Sequence, residues 1–116
     1  MAKQKAKRRK KSLSMRLWPE FSRLIRARDG RCRLAGYFGR ACGGSLQASH
    51  IYPVGLNPLL RLFPLNCVAA CYACHLHGWH KHPIGAAKWM SEAISREWWN
   101  RLQLEVANHH ARKDMT

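Results

Sequence analysis

The pair Cys71-Tyr-Ala-Cys74 is the strongest constraint on what this chain can fold into. Two thiolates presented from one turn at this spacing suit a single tetrahedral zinc ion, and no βαβ pattern surrounds them to support a thioredoxin-like redox pair. The other half of such a site must lie upstream, where the cysteines are Cys32 and Cys42; Cys42 is followed by Gly43-Gly44, as a knuckle turn prefers. The interval between Cys32 and Cys42 is wider than in an ordinary knuckle. With the insert Arg33 to Ala41 looped out, Cys32, Cys42, Cys71 and Cys74 can still close a four-thiolate structural Zn²⁺ site that ties the two halves of the chain together. The fifth cysteine, Cys67, sits among Leu65, Val68, Ala69 and Ala70 and reads as a core residue, with a substitute-ligand role as the alternative.

A staple of this kind matters because little chain is left to build a core. The 116 residues suffice for one domain, and the first sixteen carry eight Lys and Arg and no acid. Residues 1–15 therefore read as a basic arm, densest at Lys7, Arg8, Arg9 and Lys10, that either grips phosphates or solubilises the chain. A folded domain is expected over 16–112. The formal charge of +15, from 21 Lys and Arg against six Asp and Glu, calls for a polyanionic partner, with nucleic acid the leading one. A membrane is not expected, since the basic run is not amphipathic and no apolar stretch is long enough to span one. An odd cysteine count without a secretory apolar segment points to reduced thiols and a cytoplasmic location.

A helix is expected from Trp18, with Pro19 in the first helical position and Leu17, Phe21, Leu24 and Ile25 at helical spacing, ending at Asp29-Gly30. The glycines at 36, 39, 43, 44 and 55 break residues 31–55 into tight turns and a hairpin, in which Leu46 to Tyr52 is the best strand. A loop with Pro58 and Pro64 follows Pro53. One long helix is expected from about Gly85 to about 110, with Ile94, Trp98, Leu102 and Val106 on one face. That stripe, with Trp89 and Trp99 nearby, reads as packing surface in preference to a base-stacking platform. The fold class is α+β.

Between Asp29 and Glu92 there is no carboxylate side chain, yet this stretch holds every motif-like residue. Two-metal nucleases and paired-carboxylate hydrolases both need clustered acids, so neither chemistry can be built here. Five histidines, His50, His75, His77, His80 and His82, lie in the same stretch. Imidazole can serve both as a proton acceptor near neutral pH and as a metal ligand, the two functions that metal-assisted phosphodiester hydrolysis requires. His82, His109 and His110 read as surface or packed residues.

The order Ser49-His50-Ile51-Tyr52-Pro53, then Leu60-Arg61-Leu62-Phe63-Pro64-Leu65-Asn66, then Cys71-Tyr-Ala-Cys74-His75 and Trp79-His80-Lys81 resembles the HNH endonucleases, in particular phage-encoded ones with a zinc-knuckle scaffold. The resemblance covers about residues 20–90. It implies a ββα-metal core at about 30–90, flanked by an N-terminal helix and a long C-terminal helix. By that resemblance His50 is the general base, Asn66 braces the loop between strand and helix, and His75 is a metal ligand at the start of the helix. His80 is the expected second helical ligand, with His77 as the alternative because a five-residue offset is long for an α-helix. Ser49 stands where many family members place Asp or His as a further ligand, and its neutral hydroxyl is a weak substitute.

The expected activity is therefore endonucleolytic hydrolysis of double-stranded DNA, leaving 5′-phosphate ends. One catalytic divalent cation, Mg²⁺, Mn²⁺, Ni²⁺ or Zn²⁺, would be held by His75 and His80, with Arg61 and Lys81 as candidate phosphate clamps. The four-thiolate zinc would be chemically silent. Two other readings stand beside this one: a non-catalytic zinc-ribbon nucleic-acid-binding protein, and a recombination nuclease for branched DNA. The long C-terminal helix serves either to pair two copies or to cover the small core.

Overall fold

In the computed structural model, residues 12–55 and 58–114 are described, so Lys7, Arg8, Arg9 and Lys10 of the expected arm lie outside the described residues. The first helix, α1, spans Leu13–Asp29 and begins five residues before Trp18. Ser12 explains the early start. Its hydroxyl accepts from the Met15 amide at 3.3 Å and caps the first turn. Pro19 consequently lies inside the helix and not at its first position, where it costs the single bond that its missing N–H would have made to the Met15 carbonyl. The C-terminal stop falls where expected: Gly30 takes φ 69° and donates to the Arg26 carbonyl at 2.8 Å.

Two antiparallel strands form the only sheet among the described residues, β1 at Leu46–His50 and β2 at Cys67–Cys71, in the register Leu46↔Cys71 through His50↔Cys67. All five residues of β2 are buried. α1 covers one side of the sheet, where Ile25 packs with Ala48 and Cys67 and is flanked by Trp18 and Phe21. On the other side lies the main core, with Leu34, Leu60, Val68, Ala70, Trp89 and Leu102. A strand covered on both faces shows a continuous apolar run instead of alternation, which is why the residue pattern marks only a core around Cys67. That expectation for Cys67 holds: it is wholly buried, and burial pushes its thiol up to about 12.

The end of α1 is stitched to β2. Asp29 accepts from the Ala69 amide at 2.8 Å and from Arg28, while the Arg33 amide donates to the Ala69 carbonyl. Arg28 also reaches the carbonyls of Pro64 and Cys67 and lies over the Trp98 ring.

Two expectations are corrected. The insert Arg33 to Ala41 does not loop out: Leu34 is fully buried and Tyr37 and Phe38 pack on the core. Burying one leucine contributes roughly 1.5–3 kcal/mol, enough to exceed the roughly 1–2 kcal/mol of backbone entropy lost in ordering it. The C-terminal helix is two helices, α2 at Pro83–Glu92 and α3 at Arg96–Asp114. Ser95 separates them, its hydroxyl accepting from the Trp98 amide at 3.0 Å as an N-cap. The stripe survives the break, since Ile94, Leu102 and Val106 are buried and the Trp98 indole donates to the Leu65 carbonyl. Among the described residues no helix is long and apolar enough to cross a membrane.

Candidate functional site

The π-helical segment Ala73–Trp79, which follows β2 after one residue, carries both clusters of chemistry. At its start, Cys71 and Cys74 meet Cys32 and Cys42 so that all four sulfurs lie within 4.8 Å of one another. Tetrahedral thiolate ligation at about 2.3 Å places sulfurs about 3.8 Å apart, and the Cys42–Cys74 separation is 3.9 Å. The donor set therefore fits a metal ion such as zinc. Backbone amides prepare it, since Gly43 and Cys74 both donate to the Cys71 sulfur at 3.4 Å. Burial opposes the Cys71 thiolate, but these donors and the neighbouring thiols outweigh it and hold the pKa at about 6. Gly44 adopts φ 82°, and a Cβ there would meet the Tyr72 Cβ at 2.5 Å, so the knuckle turn requires glycine.

The same segment and its cap also present imidazoles, His75 directly after Cys74 and His80 five residues on. In a π-helix the bonds run over five residues, as the His80 amide to the His75 carbonyl does here, and residues five apart come together. The rings of His75 and His80 lie 4.8 Å apart, centre to centre. Gly78 lies where a Cβ would be 2.7 Å from the Phe38 ring, so the packed insert and the widened turn fit together. His75 Nδ1 pairs with Gln47 Oε1 of β1 at 2.8 Å, which leaves Nε2 as its free ring nitrogen. Burial first, and then the neighbouring imidazoles of His80 and His50, depress the His75 pKa to about 4.

His50 ends β1 and faces the same cleft. Its Nε2 lies 3.0 Å from the Arg61 carbonyl, which can only accept, so Nε2 carries the proton and Nδ1 keeps the lone pair. Trp18 of α1 packs against the ring at 4.8 Å. Burial, with the Arg61 charge, lowers the His50 pKa and outweighs the opposing hydrogen bond. The loop that carries Arg61 is held by Asn66, fully buried, whose Oδ1 accepts from the Tyr52 amide at 2.7 Å while Nδ2 donates to the carbonyls of Tyr52 and Leu60. Asn66 thus closes the loop between the two strands; the expected place was between strand and helix.

The cleft, about 720 Å³, is lined among others by His50, Arg61, His75 and His80 from the sequence-derived set. Other candidates fall outside it. Ser49 is 1% exposed, on the face of β1 opposite to His50, and does not line the cleft. His77 packs edge-on to Tyr72, and Lys81 is exposed away from the lining. Among the described residues, the four cysteines form the only group of three or more His, Cys, Asp or Glu ligand atoms close enough to share one ion.

Gln47, Trp18 and Arg26 also line the cleft and were not singled out from the sequence. Gln47 gave no usable signal: it lies three residues before His50, an odd interval that strand alternation assigns to the opposite face. Trp18 and Arg26 gave none, because only the docking of α1 onto β1 brings them there. No family model, curated protein or solved structure matches the chain.

Proposed function

We propose that the chain is a metal-dependent DNA endonuclease of the HNH type, with a structural zinc in the thiolate cluster and its active centre at the imidazole cleft. The observation that carries this reading is the convergence of His50, His75, His80 and Arg61 on one cleft, with the His50 proton committed to a carbonyl and Nδ1 left as a base. The two strands followed by a helical segment, and the resemblance of residues 20–90, support it.

His50 takes a proton from water through Nδ1, and its depressed pKa keeps it neutral and ready to do so at neutral pH. Asn66 fixes the loop whose Arg61 carbonyl orients the ring. A divalent cation held by His75 and His80 would bind the scissile phosphate and stabilise the leaving 3′ oxygen. Gln47 would orient His75 toward it. Arg61, whose Nε is buried without a partner among the described residues, would clamp a non-bridging phosphate oxygen.

The test is incubation of supercoiled plasmid with Mg²⁺, Mn²⁺ or Ni²⁺, wild type against His50→Ala. Metal-dependent nicking by the wild type alone is the expected result, and no nicking by either sinks the reading. The orientation of Ser49 favours a second reading. With only two imidazoles for a cation, the fold would serve as a zinc-stabilised nucleic-acid-binding module, and DNA would then bind without being cut.

A further inference from the structure

α1 forms a wall of the cleft through Trp18, Ser22 and Arg26, which lie four residues apart and share one helical face. Trp18 seats this wall against the His50 ring. The arginines of α1 differ sharply in their partners. Arg23 pairs with Glu20, and Arg28 pairs with Asp29. Arg26 uses its Nε on the Ser22 carbonyl at 3.3 Å, which fixes the stem, and has no carboxylate partner among the described residues. Elsewhere on the cleft lining, the Arg61 Nε is buried and unpartnered. Two uncompensated guanidinium groups thus line one cleft in a chain of net charge +15, and no acid lies between Asp29 and Glu92 to neutralise either.

We propose that this face of α1 is a phosphodiester-binding wall, on which Arg26 takes the backbone phosphate next to the one held at the imidazoles, with Ser22 as a neighbouring hydroxyl donor. The proposal rests on the cleft accepting a nucleic-acid strand, and it makes α1 part of the binding surface as well as a cover for the sheet. A guanidinium is suited to this place because its fork matches two phosphate oxygens and its charge does not titrate.

Each neutralised phosphate on duplex DNA contributes about 0.9 to the slope of log affinity against log salt. The experiment measures binding of the full zinc-loaded chain to a labelled duplex by fluorescence anisotropy across a salt series, with no Mg²⁺, Mn²⁺ or Ni²⁺ added so that nothing is cut. Arg26→Ala is expected to reduce the slope by about 0.9, which extrapolates to about an eightfold weaker affinity near 0.1 M salt. Arg26→Lys should recover most of the slope, and Lys88→Ala, on α2 and away from the cleft, should leave it unchanged. A slope untouched by Arg26→Ala, or an equal drop with Lys88→Ala, overturns the proposal. The two readings fail separately. A wild type that cuts no plasmid but shows the Arg26-dependent slope keeps this wall and loses the nuclease, whereas cutting with an Arg26-independent slope does the reverse.

Discussion

Cys74 and His75 are neighbours in sequence, yet they belong to opposite kinds of site. Consecutive helical residues do not share a face, so Cys74 turns its thiol toward Cys32 and Cys42 and His75 its imidazole toward β1. The thiolate set is closed: four sulfurs saturate a tetrahedral ion and leave no position for water. The imidazole set is open, with the His75 and His80 rings, His50 and arginine side chains around a cleft. A closed set can only hold the fold together, whereas an open one keeps positions for water and phosphate. One short stretch of chain thus separates a thiol cluster that could hold a metal from an imidazole cleft, and each can be altered without the other.

The largest effect is expected at the closed half. Cys71→Ser removes the sulfur that accepts both backbone amides, and structural zinc in small domains supplies about 10–16 kcal/mol of apparent binding free energy. With so little core to compensate, the variant should lose its cooperative thermal transition and its bound zinc, measured by circular dichroism and metal analysis. A folded, zinc-free Cys71→Ser protein would break the division between the halves.

Next comes the open half. His50→Ala should lower metal-dependent nicking about a hundredfold to ten-thousandfold, the usual worth of a positioned base, while zinc content stays near wild type. The pH dependence follows from burial and the Arg61 charge, which hold the His50 pKa below its ordinary 6.5. Half of His50 is then protonated only below that value, so the midpoint of an acid-side decline in wild-type nicking should lie under pH 6.5. A decline already complete at pH 7 would mean that another group limits the rate.

Part of this division can be read from the sequence, and the unread parts have two causes. The four cysteines declare themselves by residue type and spacing, whereas His50, Asn66, His75 and His80 are marked out by the resemblance alone. The five-residue interval of His75 and His80, too long for an α-helix, is accounted for by the π-helical turn against Phe38. What spacing could not give is what local helix caps and the docking of distant elements decide. Pro19 suggested a helix start that the Ser12 cap overrode; Leu34 and Phe38 pack under an insert that glycines had marked as loop; and Ser95 breaks a helix whose apolar stripe continues across the break. Trp18 and Arg26 lie far in sequence from the imidazoles, and only the packing of α1 on the sheet brings them to the cleft.

A smaller effect is expected from Gln47→Ala, which leaves every ring in place but frees His75 Nδ1. Loss of such an orienting partner commonly costs about 10–100-fold in metal affinity. The metal concentration needed for half-maximal nicking should rise by that factor with little change in the saturated rate. A fall in the saturated rate alone would place Gln47 with the base instead of the cation.

The smallest effect distinguishes the scaffold from both sites. Asp29 is 2% exposed, and burial by itself would raise its pKa, but Arg28, the Ala69 amide and Arg33 together bring it below the ordinary 3.8. A carboxylate with a depressed folded pKa contributes stability that is present above the unfolded value and lost as pH falls through the folded one. Between pH 8 and 5, therefore, its contribution should not change. Thiolate ligation weakens over the same interval as protons compete for sulfur. Asp29→Asn should thus cost about 1–3 kcal/mol by weakening charge-assisted bonds, with the gap to wild type constant from pH 8 to 5 while both proteins lose stability together. Chemical denaturation at several pH values reads this directly. A gap that narrows above pH 5 would show that Asp29 titrates with the metal site and belongs to the closed half.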